Sequence, residues 1–304
     1  MTGFLDEIRL VSRARDWRGR SRTPRSAEQW APPHEPRQFP TAWARTKPAR
    51  VVREGVQRGV LRPMVWTQTR PQVHGADRLD GVQGPVIVVA NHASHLDAPL
   101  ILNALPAAMA RRTAVGAAAD YFFDARWRAS LTALVFNAFP IERSGSRRPR
   151  MIAPDLLADG WNILMFPEGT RSQDGWMRSF RRGAAQMACQ NGVPVVPVAV
   201  RGAYSAMPRG RNWPKPGRPR VAVHIGRPLT VNEGETVPEF SNRMLSAVTQ
   251  LWAEEDLGWW GAMRAAESGK LPDPSGPAAS GWRRHWESTR PLPDPSRKVS
   301  VWRR

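Results

Sequence analysis

Between residues 88 and 100 the chain reads VVANHASHLDAPL: an apolar run ends in Asn91 and His92, and Ser94, His95 and Asp97 follow within five positions. Three chemistries suit these residue types. His92, His95 and Asp97 are all metal-ligand types. A metal site usually needs further ligands, however, and His34, His74, His224 and His285 build no Cys/His cluster with them, so no metal is expected. A histidine takes a hydroxyl proton well near neutral pH. A carboxylate that accepts from its other N–H fixes the tautomer and supports the imidazolium. The third possibility is the polar end of a buried strand, with structurally satisfied histidines; it is the reading that suits His95. The acid–base pair fits best, with His92 as base and Asp97 as its orienting acid. Five residues along a straight helix lie about 140° apart, so the chain must turn between the two. Pro99 suits a first helical turn, which places Asp97 near a helix N-terminus.

A second group of candidates lies in FPEGTRS, residues 166–172. An apolar run ends in Phe166 and Pro167, and a Gly-containing turn presents Glu168, Thr170 and Arg171. Arg171 could clamp a phosphate with two parallel hydrogen bonds, and Gly169 allows close backbone approach. A tight turn with a salt bridge is the plainer alternative. In FPIERSG, residues 139–145, Arg143 again follows an apolar run, and Arg181 and Arg182 open a helical pattern. Arginine-bearing turns along one sheet edge point to an anionic substrate.

These turns need a scaffold. Apolar runs at 85–90, 113–118, 134–141, 162–167, 193–200 and 220–226 read as buried strands, with helical patterns at 98–105, 121–133, 148–159, 180–191 and 237–255. The alternation predicts an α/β fold, a largely parallel central sheet flanked by helices, with sites gathered at the carboxyl ends of strands. Residues 49–70 have helical spacing, with Val52, Val56, Val60 and Val65 near one stripe and Arg53, Arg58 and Arg62 off it. Such a helix either lies on a membrane surface or packs on the domain, and Pro63 is expected to kink or end it. Residues 1–48 read as a disordered basic, Pro-rich extension with a short helix near 4–16, residues 49–257 as one domain, and 258–304 as a Trp/Arg/Pro-rich tail. That tail contains an imperfect repeat, LPDPSGPAASGWRR and LPDPSRKVSVWRR. It reads as an extended strap held by its tryptophans, or as a membrane contact.

The net charge of +19 attracts polyanions: nucleic acid, anionic lipid or phosphorylated substrates. No aromatic-interleaved nucleic-acid motif is visible in the core, and no nucleic-acid partner is expected. The single cysteine, Cys189, cannot form an internal disulfide. The N-terminal stretch shows no apolar core of a signal peptide, and no run reaches the roughly 18 apolar residues of a spanning helix.

Taken together, NHASHLD, FPIER, FPEGTRS and VPVVPVAVRGA, in that order, are similar to the 1-acylglycerol-3-phosphate acyltransferase family, over about residues 49–255. The resemblance implies an α/β acyltransferase that moves an acyl group from acyl-CoA or acyl-carrier protein to the free hydroxyl of a phosphorylated lipid acceptor, without a cofactor. It implies His92 as general base, Asp97 as its orienter, Arg143 and Arg171 on the acceptor phosphate, and Glu168, Gly169 and Thr170 in the same substrate-binding block. Glu142 departs from the family, where Gly or Asp often stands. Glycerol 3-phosphate, another lysophospholipid or a glycolipid remain alternative acceptors, and a non-enzymatic binder of anionic membrane is the alternative of a different class. The lipid product and the cationic surface together predict a peripheral protein on the cytoplasmic face of an anionic membrane.

Overall fold

The computed structural model describes residues 39–123, 125–141, 152–211 and 213–292. The helix expected near 4–16, the Arg143 turn and most of the second repeat copy lie outside the described residues. Seven strands form one sheet: β1 (Arg70–His74), β2 (Ile87–Ala90), β3 (Thr113–Ala118), β4 (Phe139–Ile141), β5 (Asn162–Met165), β6 (Val195–Arg201) and β7 (Arg220–Ile225). Their spatial order is β1-β7-β6-β2-β5-β3-β4, and every pairing is parallel except β6 with β7. The predicted largely parallel sheet is present. β1 was not foreseen, because its short RPQVH run has little apolar signal. The expected strand over 134–141 is split: residues 134–136 are the end of a helix. Only Phe139–Ile141 is extended, after Asn137 adopts a left-handed conformation (φ 51°) and ends the preceding helix.

The helices are α1 (Lys47–Val56), α2 (Arg62–Gln68), α3 (Asp97–Ala104), α4 (Ala107–Arg111), α5 (Ala119–Phe122), α6 (Arg126–Phe136), α7 (Ile152–Ala158), α8 (Gly183–Asn191), α9 (Ala203–Ala206), α10 (Val237–Glu267) and α11 (Gly281–Thr289). Gly258 interrupts α10 with a non-helical backbone (φ 69°). Successive residues of β2 serve opposite cores, as the two-residue strand period requires. Val88 and Ala90 pack with Leu100 and Ile101 of α3, whereas Ile87 and Val89 pack with Ala184 and Ala188 of α8 and with Phe240 and Met244 of α10. The sheet is therefore covered on both faces.

α1 and α2 are joined by a π-helical turn, Gln57–Leu61, so the segment runs on to Pro63, which sits in the first turn of α2. Of the expected valine stripe only Val65 is fully packed. Val52 and Val60 are exposed, while Ala49, Arg53, Leu61 and Val65 are buried. Those buried positions, with Gln57 between them, recur every four residues. An α-helix of 3.6 residues per turn drifts off such a row, and a wider π turn brings it back. The inward polar side chains have partners: Arg53 donates to the carbonyls of Ala44 and Leu134, and Gln57 donates to the carbonyl of Val135 at 2.7 Å. Leu134 and Val135 belong to the last turn of α6, whose carbonyls have no partner within the helix.

Candidate active site

β2 and β5 lie side by side with Val89 opposite Met165. Three residues further on, His92 and Glu168 therefore emerge at the same level. The chain leaves β2 toward α3 on one face and leaves β5 toward α8 on the other, so the strand ends part around a crevice, the usual site of binding in open α/β sheets. Asn91 holds the crevice from the other side. Its side chain donates to Val200 O at 3.0 Å and accepts from Val200 N at 2.8 Å, extending the β2–β6 ladder beyond the strand.

His92 Nδ1 lies 2.9 Å from Asp97 Oδ2. The same oxygen accepts from the backbone N–H groups of Ala93 at 2.7 Å and Ser94 at 2.8 Å. The chain thus wraps around the carboxylate, which is wholly buried at the start of α3, where the helix dipole favours negative charge. With Asp97 accepting, Nδ1 carries the proton, and in the neutral ring Nε2 is the nitrogen with the lone pair. The imidazole stacks on Phe166, with ring centroids 4.0 Å apart and planes 19° apart. Asp97 Oδ1 has no hydrogen-bond partner among the described residues. Ser94, between the pair in sequence, spends its hydroxyl on Met207 O at 2.8 Å and is built into the turn.

Glu168 is buried and has both oxygens occupied. Oε1 accepts from His92 N at 2.8 Å, and Oε2 accepts from Arg178 N at 3.1 Å. It ties the His92 turn to the loop after β5, and Ser172 N adds a bond to His92 O at 2.8 Å. Burial pushes its carboxyl up to about 8. The two backbone donors oppose that shift, and nearby Asp97 reinforces it. Gly169 has φ 76°, and a side chain there would come within 2.7 Å of Arg181 Nε, so only glycine fits the turn. Thr170 and Arg171 follow, half-buried. The charge of Arg171 reaches His95, whose pKa falls to about 4, chiefly through burial, then through Arg171 and His92. His95 is therefore neutral at physiological pH. Arg181, which the sequence offered only as part of a basic helix start, lies against Gly169 in the same turn.

His92, His95, Gly169 and Arg181 all line one cavity of about 440 Å³. Its remaining walls are mostly apolar: Val115 and the small residues Gly116–Ala118 of β3, and Phe136 of α6, among others. A mostly apolar cavity whose lining includes two histidines and an arginine can receive a molecule with a charged head and an aliphatic chain. Among the described residues, the structure brings together His92, Asp97, Glu168, Gly169, Thr170 and Arg171.

The acyltransferase family model matches residues 70–201. The chain is 33% identical over 162 residues to a 1-acyl-sn-glycerol-3-phosphate acyltransferase of Chlamydomonas reinhardtii, covering 52% of this chain and 47% of that protein. It is 31% identical over 196 residues to the mouse (Mus musculus) 1-acyl-sn-glycerol-3-phosphate acyltransferase alpha, covering 61% and 64%. The chain spans about half the length of the algal and plant relatives it matches. Among solved structures, the 1-acyl-sn-glycerophosphate acyltransferase PlsC of Thermotoga maritima is similar with a TM-score of 0.55 and 26% identity, over 70% of this chain and 85% of that one. The matched segment contains the His92 turn, the Glu168 turn and the strands that place them. Residues 70–201 thus match an acyltransferase family model, and the chain is similar in sequence and in fold to the 1-acyl-sn-glycerol-3-phosphate acyltransferases.

Proposed function

We propose that the protein transfers a fatty acyl group from a thioester, acyl-CoA or acyl-carrier protein, to the free hydroxyl of a 1-acylglycerol 3-phosphate, giving phosphatidic acid. The observation that carries this reading is the 2.9 Å His92–Asp97 pair, with His92 lining a mostly apolar cavity. In this scheme His92 Nε2 takes the proton of the acceptor hydroxyl, and the oxygen attacks the thioester carbonyl carbon. Asp97 stabilises the imidazolium that forms. The tetrahedral intermediate collapses, the C–S bond breaks, and the leaving thiolate recovers the proton from His92. No acyl-enzyme is needed, and no cofactor beyond the thioester co-substrate enters. Arg171 and Arg143 are assigned to the acceptor phosphate, and Arg181, which lines the cavity, is added to them. The apolar cavity receives an acyl chain.

The lipid product favours a surface enzyme. Among the described residues no helix is long and apolar enough to cross a membrane. We place the protein on an anionic bilayer, on its cytoplasmic face, through its cationic surface and the exposed valines of the 47–68 segment.

The test is thiol release from acyl-CoA and acyl-carrier protein with a panel of acceptors, with products identified by mass spectrometry. The reading expects phosphatidic acid from lysophosphatidic acid as the best product. His92→Ala and Asp97→Asn should each lower kcat by roughly 10² to 10⁴ without lowering thermal stability to the same degree. Full turnover by His92→Ala, or a clear preference for glycerol 3-phosphate or a glycolipid, would overturn the corresponding part.

A further inference from the structure

Residues 271–292 lie beyond the segment that the family model matches, and they fold back onto the loop that follows the Glu168 turn. Arg284 is the fastening point. Its Nε and Nη2 donate to Asp174 Oδ2 at 2.9 and 2.6 Å, and the same guanidinium donates to Pro277 O at 2.8 Å and Ser275 O at 2.7 Å. The indole of Trp176 donates to Arg284 O at 3.1 Å, and Met177 N donates to Pro274 O at 2.9 Å. Gly175 has φ 87°, and a side chain there would meet the Tyr204 ring and Ser288 of α11. Tyr204 also donates to Gln173 O at 2.8 Å and meets the His285 ring edge-on. Arg284, His285 and Ser288 thus form the inner face of α11.

The opposite face carries different chemistry. Trp282 and Trp286, one turn apart, are 74% and 57% exposed. Arg290 flanks them, its guanidinium 5.2 Å over the Trp286 ring, and Arg283 beside them is paired with Glu287 at 3.1 Å. Indole rings favour the boundary between water and hydrocarbon, and flanking arginines favour anionic headgroups. A helix of nine residues cannot span a bilayer but can lie in its surface. The chain's charge of +19 is complementary to that surface.

We propose that the outer face of α11 is a docking surface for an anionic lipid bilayer, held against the Asp174–Met177 loop by its inner face. The occupant is the bilayer, since paired indoles flanked by cations match an anionic interface in both polarity and charge. The inference rests on the reading of the protein as a surface enzyme, and it locates one part of the surface that docks.

The experiment uses the full chain in three forms: unaltered, Trp282→Ala/Trp286→Ala, and His92→Ala. Each is mixed with phosphatidylcholine vesicles, with and without phosphatidylglycerol, and the bound fraction is measured by flotation. The double variant should bind the phosphatidylglycerol vesicles about tenfold more weakly. Its turnover on an acceptor dispersed below micelle-forming concentration should be unchanged, because the inner face is intact. His92→Ala should bind as the unaltered protein does and lose turnover. Unchanged vesicle binding by the double variant overturns the docking surface, as does loss of a protein dimer in sedimentation in place of loss of lipid binding. Retained turnover in His92→Ala sinks the catalytic reading alone and leaves the docking result standing.

Discussion

Glu168 shows how a charged-looking motif residue can serve by holding rather than binding. Both of its oxygens accept backbone N–H groups, one from His92 itself, so its distance from that turn is set before any ligand arrives. Gln at this position offers one oxygen for two donors, and an unmade buried hydrogen bond costs about 1–3 kcal/mol. The cost must depend on pH. In the folded protein the carboxyl titrates at about 8, against 4.5 for an unperturbed glutamate, because it is buried. Between those values the folded state holds a proton that the unfolded state has lost, so rising pH favours unfolding. The stability advantage of the unaltered protein over Glu168→Gln should be largest below pH 4.5 and shrink as pH climbs through about 8. Melting temperatures of both forms across that range check it, and a difference independent of pH would mean that folding leaves the carboxyl at its unperturbed value. The His92–Asp97 pairing was legible because both partners sit within five residues of one turn. The part played by Glu168 was not, since it depends on which strand lies beside β2 and in what register.

At the scale of elements, the cavity wall formed by α6 is secured from outside the sheet. Arg53 of α1 and Gln57 of the π turn satisfy the last carbonyls of α6, and Asn137 donates to Thr113 O at 3.3 Å while accepting from Arg45 at 3.2 Å. Burial lowers the Arg53 pKa to about 10, with Arg45 and Arg50 adding to the effect, yet the group stays charged at neutral pH. Arg53→Met keeps the aliphatic bulk and removes the donors. It should cost about 1–3 kcal/mol, seen as a loss of roughly 2–4 °C in Tm per kcal/mol, and should loosen the cavity at Phe136. An unchanged Tm would show that water replaces the lost donors. Hydrophobic periodicity could not reveal this face. It marked a valine stripe as apolar without deciding between membrane and domain, whereas two of the inward positions, Arg53 and Gln57, are polar and reach carbonyls. The strand and helix alternation was legible through most of the sheet, because buried parallel strands are continuous apolar runs. It failed over 134–141, where LVFNAFPI is apolar enough for either structure and only the left-handed Asn137 marks the change.

Over the whole molecule, the charge of +19 acts as a field rather than as contacts. On an anionic bilayer each nearby basic side chain contributes about 1 kcal/mol within a Debye length, which shrinks from roughly 30 Å at 0.01 M salt to about 3 Å at 1 M. Binding to phosphatidylglycerol vesicles should therefore fall steeply with added salt, leaving a residue due to buried indole and valine surface. Flotation across a salt series measures both parts, and salt-independent binding would remove the electrostatic one. The tail was expected either to be strapped down by its tryptophans or to touch a membrane. Trp282 and Trp286 face outward, and Arg284 does the fastening, a role no local pattern signals because Asp174 lies 110 residues away. That separation also sets an order in time. At about 5–20 residues per second of synthesis, Asp174 leaves the ribosome roughly 5–20 s before Arg284 does. During that interval the His92 and Glu168 turns can already close on each other, while the loop beyond them waits for its last partner. The fastening that ties α11 to the loop beside it is thus open only to a chain whose His92 and Glu168 turns have already been made.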